Sequence, residues 1–143
     1  MSSPTVFERH LPPDHSLVGS LRHDLASELS GRAPPSLVSD AVLVVSELAT
    51  NAITAARTSP ADVIVRVTAS DHDALVVEVE DDGPGFTLNL LTGRIEPEDE
   101  RGRGLRIVEA VADDVRVDRF KQRTRVRALL RRHETFELAG DLQ

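Results

Sequence analysis

Apolar positions in the first third of the chain recur at helical spacing. Leu17, Leu21, Leu25 and Leu29 return every fourth residue, which predicts an amphipathic helix closed by Gly31. Ahead of it, PTVFERHL (residues 4–11) reads as a short edge strand, followed by a turn at Pro12 and Pro13 with Asp14 as helix N-cap. GRAPPS is a linker, and a second helix is predicted from about Ser36 to Arg57; its richer apolar surface gives it the more central place. DVIVRVTAS and ALVVEVED then alternate as strands, so residues 62–81 read as a β-hairpin. Leu75, Val77 and Val79 share one face of the second strand, and the same parity turns Asp81 inward. The segment from about Thr87 to Glu100, with EPEDE inside it, reads as a loop. RGRGLRIVEAVADD is a Gly-rich entry into a third helix, and VRVDRF and TRVRALLRR are closing strands. On the last of these Thr124 has the parity of Val126, Ala128 and Leu130, and the tail after His133 reads as frayed.

Pattern alone therefore gives an α+β class. A length of 143 residues with 40% hydrophobic content suits a single domain, 1–143, with its core at about 14–132. The absence of Cys excludes disulfides and thiolate chemistry. A net charge of −7, with Lys121 as the only lysine and neither Trp nor Tyr, argues against nucleic acid as a direct partner. The start, MSSPTVFERHLPPD, lacks the apolar stretch of a signal peptide, and no run approaches membrane-spanning length. The expectation is a cytoplasmic protein without membrane contact. No His spacing suggests zinc, and no Ser, His and Asp set suggests a hydrolytic triad.

Three motifs carry candidate chemistry. In VVSELATNAITAA, Glu47 and Asn51 stand four residues apart and so share a helical face amid Val44, Leu48, Ala52 and Ala55. A pair of this kind also serves to cap a neighbouring loop or to face solvent. DDGPG after a strand is what a tight turn selects, although Asp81 on the inner parity asks for a partner. GRGL at a helix entry can be simple chain geometry, or an anion site in which exposed N–H groups meet a phosphate that glycines let approach.

Their order, E-x-x-x-N on a helix, then D-x-G-x-G after a strand, then G-x-G-L before a helix, makes a linked signature. In this the chain resembles the GHKL ATPases, the superfamily of gyrase, heat-shock chaperones, mismatch-repair proteins and histidine kinases, from about Leu17 to Leu130. Within it, VVSELATNA, VEVEDDGPGF and GRGLRIVEAVADD look like the N, G1 and G2 boxes of the small bacterial anti-sigma-factor serine/threonine kinases. The resemblance implies the Bergerat ATP-binding fold, an α/β sandwich whose mixed, mostly antiparallel sheet carries its helices on one face. It implies ATP or ADP as ligand, with Mg²⁺ coordinated by Asn51, and Glu47 as general base toward the attacking hydroxyl. Asp81 would accept from the adenine amino group, with Thr124 nearby; Gly83 and Gly85 would let backbone pass close to the nucleotide. Arg101, Gly102, Arg103, Gly104 and Leu105 would form the lid and the phosphate-binding helix start.

The implied partners are a sigma factor, which the protein would silence, and a small anti-anti-sigma (STAS-type) protein, which it would phosphorylate on Ser or Thr, with a homodimer as the working unit. The alternative is a nucleotide-sensing regulator of the same fold that sequesters a partner without useful kinase turnover. Two departures stand out. Ala55 occupies a place where the family often has His or Arg, and Arg123 precedes Thr124 where Gly is usual. Glu96, Glu98, Asp99 and Glu100 place negative charge in the lid segment, which suits a solvated loop pointing away from a triphosphate. A full histidine kinase is not expected, because His10, His15 and His23 lie in or beside the first strand and helix, without room for a phosphoacceptor hairpin.

Overall fold

The computed structural model describes residues 4–56, 61–71, 73–83 and 101–132. Gly85, the acidic segment 96–100 and the tail after His133 fall outside them. The chain runs β1 (Thr5–Leu11), α1 (Val18–Leu29), α2 (Pro35–Ala56), β2 (Val63–Asp71), β3 (Ala74–Asp81), α3 (Arg101–Val111), β4 (Asp114–Phe120) and β5 (Arg123–Arg131). The strands form one sheet in the order β1-β2-β3-β5-β4. Every ladder between them is antiparallel, so the mostly antiparallel sheet expected from the resemblance is antiparallel throughout the described residues.

Local chemistry explains the element ends. Asp14 caps a short 3₁₀ turn, His15–Leu17, that leads straight into α1; its carboxylate accepts from the Ser16 N–H at 2.9 Å and from the Ser16 hydroxyl at 2.8 Å. Those two bonds hold the Asp14 carboxyl below the usual carboxylate range. Gly31, with φ of 82°, takes the left-handed conformation that turns the chain away from α1. Pro35 opens α2 at the one helical position where a missing N–H is harmless.

The core lies between the helices and one sheet face. Phe7, Val63, Val65, Val67, Leu75, Val77, Val79, Val126, Ala128 and Leu130 line that face and join one buried cluster with Leu21, Leu25 and Leu29 of α1 and Leu105 and Val108 of α3. Between them runs α2, which buries Leu37, Ala41, Val44, Val45, Leu48, Ala49, Ala52, Ile53 and Ala56. That spacing of three and four residues makes a wide apolar stripe. One expectation needs correction here: by length and composition alone, α2 is long and apolar enough to cross a membrane. Its apolar stripe is instead spent on the sheet and on the two flanking helices.

The opposite sheet face is charged, with its charges alternating in register. Glu8, Arg66, Glu78 and Arg127 stand directly opposite one another on β1, β2, β3 and β5. Arg66 bonds Glu8 at 2.9 Å and Glu78 at 3.3 Å, and Arg127 bonds Glu78 at 2.7 Å. Opposite charges placed face to face across strands fix pairing register. His10 and Arg66 together hold the Glu8 carboxyl below its usual range.

Candidate functional site

At one end of the sheet the apolar rows of the inner face give way to a polar one. Asp81 on β3 pairs with Thr124 on β5, which pairs with Arg119 on β4. Asp81 and Thr124 are the two buried polar side chains among the described residues, each 1% exposed. Chain parity alone puts them there: Asp81 continues Leu75, Val77 and Val79, and Thr124 opens the series Val126, Ala128 and Leu130.

Hydrogen bonds tie this row to the turn after β3. Asp81 Oδ1 accepts from the Gly83 N–H at 2.7 Å. One guanidinium nitrogen of Arg119, Nη1, donates both to the Gly83 carbonyl and to Thr124 Oγ1, each at 2.8 Å. Thr124 Oγ1 in turn donates to the Gly83 carbonyl at 3.4 Å. Asp81, Gly83, Thr124 and Arg119 are thus one linked set, of which sequence reasoning found three. Arg119 was missed: it has the chain parity of Val115 and Val117 in β4, but unlike them it is exposed.

Gly83 also has a packing role. A Cβ there would lie 2.6 Å from the Cβ of Ala55 and 2.7 Å from Asp81 Oδ1. The turn therefore sits against the C-terminal end of α2, and the small Ala55 is what lets it dock. Gly83→Ala is expected to cost about 1–3 kcal/mol through overpacking. A shift of the urea midpoint reads this directly, and an unchanged midpoint would refute the packing account.

Contact with Ala55 relates α2 to the polar row. Asn51 lies one turn before Ala55 and Glu47 one turn further, both half-buried. Thr54 completes their helical face; its hydroxyl donates to the Thr50 carbonyl at 2.9 Å and lies 3.2 Å from His15 Nε2. The Glu47 side chain has no hydrogen bond or ion pair among the described residues. The structure therefore places Asp81, Gly83 and Thr124 together, with Asn51 and Glu47 following at successive turns along α2.

The Gly-rich motif is the first turn of α3, which begins at Arg101, so Arg101, Gly102, Arg103 and Gly104 are helical rather than preceding the helix. The N–H groups of a first turn have no partner within their own helix and suit an anion. The Leu105 side chain is fully buried in the core, where it seats α3. Gly85 lies outside the described residues.

A family model described as the Histidine kinase-like ATPase domain matches residues 11–130. The chain belongs to this family. The match spans all three helices and every strand except the first six residues of β1 and the last of β5, and an ATPase domain of this kind is a nucleotide-binding one. Among solved structures, the RsbU and RsbW domains of Rv1364c from Mycobacterium tuberculosis are similar, with a TM-score of 0.66 and 18% identity. That alignment covers 93% of this chain and 35% of that one, and shows the shared fold. A histidine kinase domain from Erythrobacter litoralis EL346 blue-light activated histidine kinase aligns at a TM-score of 0.49 with 23% identity, over 84% of this chain and 61% of that one. That second likeness is too slight to carry an argument. No curated protein matches the chain.

A purine nucleotide fits the residues present. Asp81, 1% exposed at the end of a strand, accepts from the Gly83 N–H, and a carboxylate has further lone pairs for which an exocyclic amino group is a donor of the right kind. Among the described residues no group of three His, Asp or Glu side chains could hold a metal ion by itself. A Mg²⁺ ion at Asn51 would accordingly share its ligands with phosphate oxygens and water, the usual arrangement for this ion.

Proposed function

We propose that this histidine-kinase-like ATPase domain is an ATP-binding anti-sigma factor and protein serine/threonine kinase that phosphorylates an anti-anti-sigma partner. The observation that carries the reading is the order of groups along α2. The turn after the buried Asp81 docks through Gly83 at Ala55, Asn51 lies a turn before Ala55, and Glu47 lies a turn beyond that. A nucleotide with its base on Asp81 and Thr124 would run along this face toward Asn51 and Glu47. The purine end is read by Asp81, with Gly83 completing the turn and Gly85 following it. Arg101, Gly102, Arg103 and Gly104 present the first turn of α3 to the phosphates.

In the transfer step Glu47 accepts the proton of the attacking Ser or Thr hydroxyl as its oxygen bonds to the γ-phosphorus and the bond to ADP breaks. Bound Mg²⁺, held through Asn51, would neutralise developing phosphate charge. The fold likeness to a chain containing an RsbW domain supports the regulatory side of the reading. So does the E-x-x-x-N motif on α2. The working protein is then a cytoplasmic homodimer, one domain per chain over 1–143, that silences a sigma factor and modifies a STAS-type protein.

The decisive experiment is phosphate transfer from γ-labelled ATP to an anti-anti-sigma protein of the same organism. Label on a Ser or Thr of that protein supports the kinase. ATP binding with no label on any such partner would replace it with a nucleotide-sensing sequestration module.

A further inference from the structure

We infer that Arg119 is a positioning residue for the base end of the nucleotide site, acting through Gly83 and Thr124 rather than on the phosphates. The inference rests on the nucleotide-binding reading above. β4 is the edge strand of the sheet, and an arginine on it would ordinarily be solvated. Arg119 is exposed as a residue, yet both hydrogens of its Nη1 go to the Gly83 carbonyl and Thr124 Oγ1, at 2.8 Å each. Charge-assisted bonds of this length are the strong kind.

Its effect is to pin the turn that follows Asp81 onto the β4–β5 hairpin. Gly83 is held from both sides: its N–H by Asp81 Oδ1 and its carbonyl by Arg119. Thr124, already bonded to Arg119, is left with limited freedom to turn its hydroxyl. The two buried polar groups that face the base are therefore set in place before a ligand arrives, which lowers the ordering cost of binding.

The hairpin is built to keep Arg119 opposite Thr124. A two-residue loop, Lys121 and Gln122, joins β4 to β5, with φ of 50° and 63°. Positive φ at both positions marks the tight turn whose twist matches antiparallel strands. Neither residue is the Gly or Asn that such a turn prefers, so the chain tolerates backbone strain to hold this register. Gln122→Gly is expected to raise the melting temperature by about 2 °C while leaving nucleotide affinity unchanged. A lowered melting temperature would refute the strain at this turn.

The test compares wild type, Arg119→Met, Arg119→Lys, Thr124→Val and the Arg119→Met/Thr124→Val pair, with adenosine, ADP and ATP as titrants and the melting temperature of each. Arg119→Met is expected to weaken all three ligands by one common factor of about tenfold. Arg119→Lys should recover part of the loss. The double variant should lose less than the two single variants combined, because both act on one linked set. If wild type binds ATP but Arg119→Met binds all three ligands as wild type does, the inference fails and the nucleotide site stands. A loss confined to ATP and ADP also overturns it, since Arg119 would then act on phosphates. If folded wild type binds none of the three, the nucleotide reading itself fails.

Discussion

Replacing Glu47 by Gln is expected to lower the rate of phosphate transfer by about 10²–10⁴-fold while leaving the affinity for ATP unchanged. The side chain keeps its size and its place on α2, so the core stripe beneath it is untouched. What is lost is a carboxylate able to take a proton from the attacking hydroxyl. Glu47 is half-buried, and its side chain has no hydrogen bond or ion pair among the described residues. Steady-state turnover measured beside equilibrium ATP binding separates the two quantities. Turnover preserved in Glu47→Gln would remove Glu47 from the chemistry. An equal loss of binding and turnover would make it a binding group instead.

Asp81→Asn is expected to weaken ATP by roughly a hundredfold with little change in melting temperature. An amide at this position can still accept the Gly83 N–H through its oxygen, so the turn after β3 survives. Toward the ligand, however, it presents a donor where an acceptor is needed, against an exocyclic amino group that also donates. The penalty combines a lost charge-assisted bond with an unsatisfied buried donor, and for that reason it exceeds the loss expected at Arg119. Full ATP affinity in a folded Asp81→Asn protein would mean that the base lies elsewhere. Loss of folding would mean that Asp81 serves the turn more than the ligand.

Much of the site was legible because strand parity is unforgiving. Once Leu75, Val77 and Val79 are assigned to the core, Asp81 has no choice of face, and Thr124 is fixed by Val126, Ala128 and Leu130 in the same way. The same logic applied to Val115 and Val117 would have reached Arg119, but an arginine on an edge strand ordinarily reads as solvated. Its role appears only when the register sets it beside Thr124 and the turn brings the Gly83 carbonyl within reach. Gly83 shows a different limit. D-x-G-x-G suggests room for a ligand, whereas the nearest obstacle to a side chain is Ala55 on a helix nearly thirty residues earlier. The alternating charges of the outer sheet face were visible as letters but not as pairs, because their meaning depends on register across four strands. The length of α2 was legible to within a residue at each end, whereas its apolarity was underestimated because Glu47 and Asn51 interrupt the apolar run.

The most direct measurement is a calorimetric titration of Mg·ATP and Mg·ADP into the purified wild-type chain. Saturable binding at one site per chain is the predicted result, since Asp81, Thr124, Gly83 and Arg119 form a set already assembled in the folded protein. Absence of binding to a folded chain would contradict the central claim, and with it both the kinase and the nucleotide sensor.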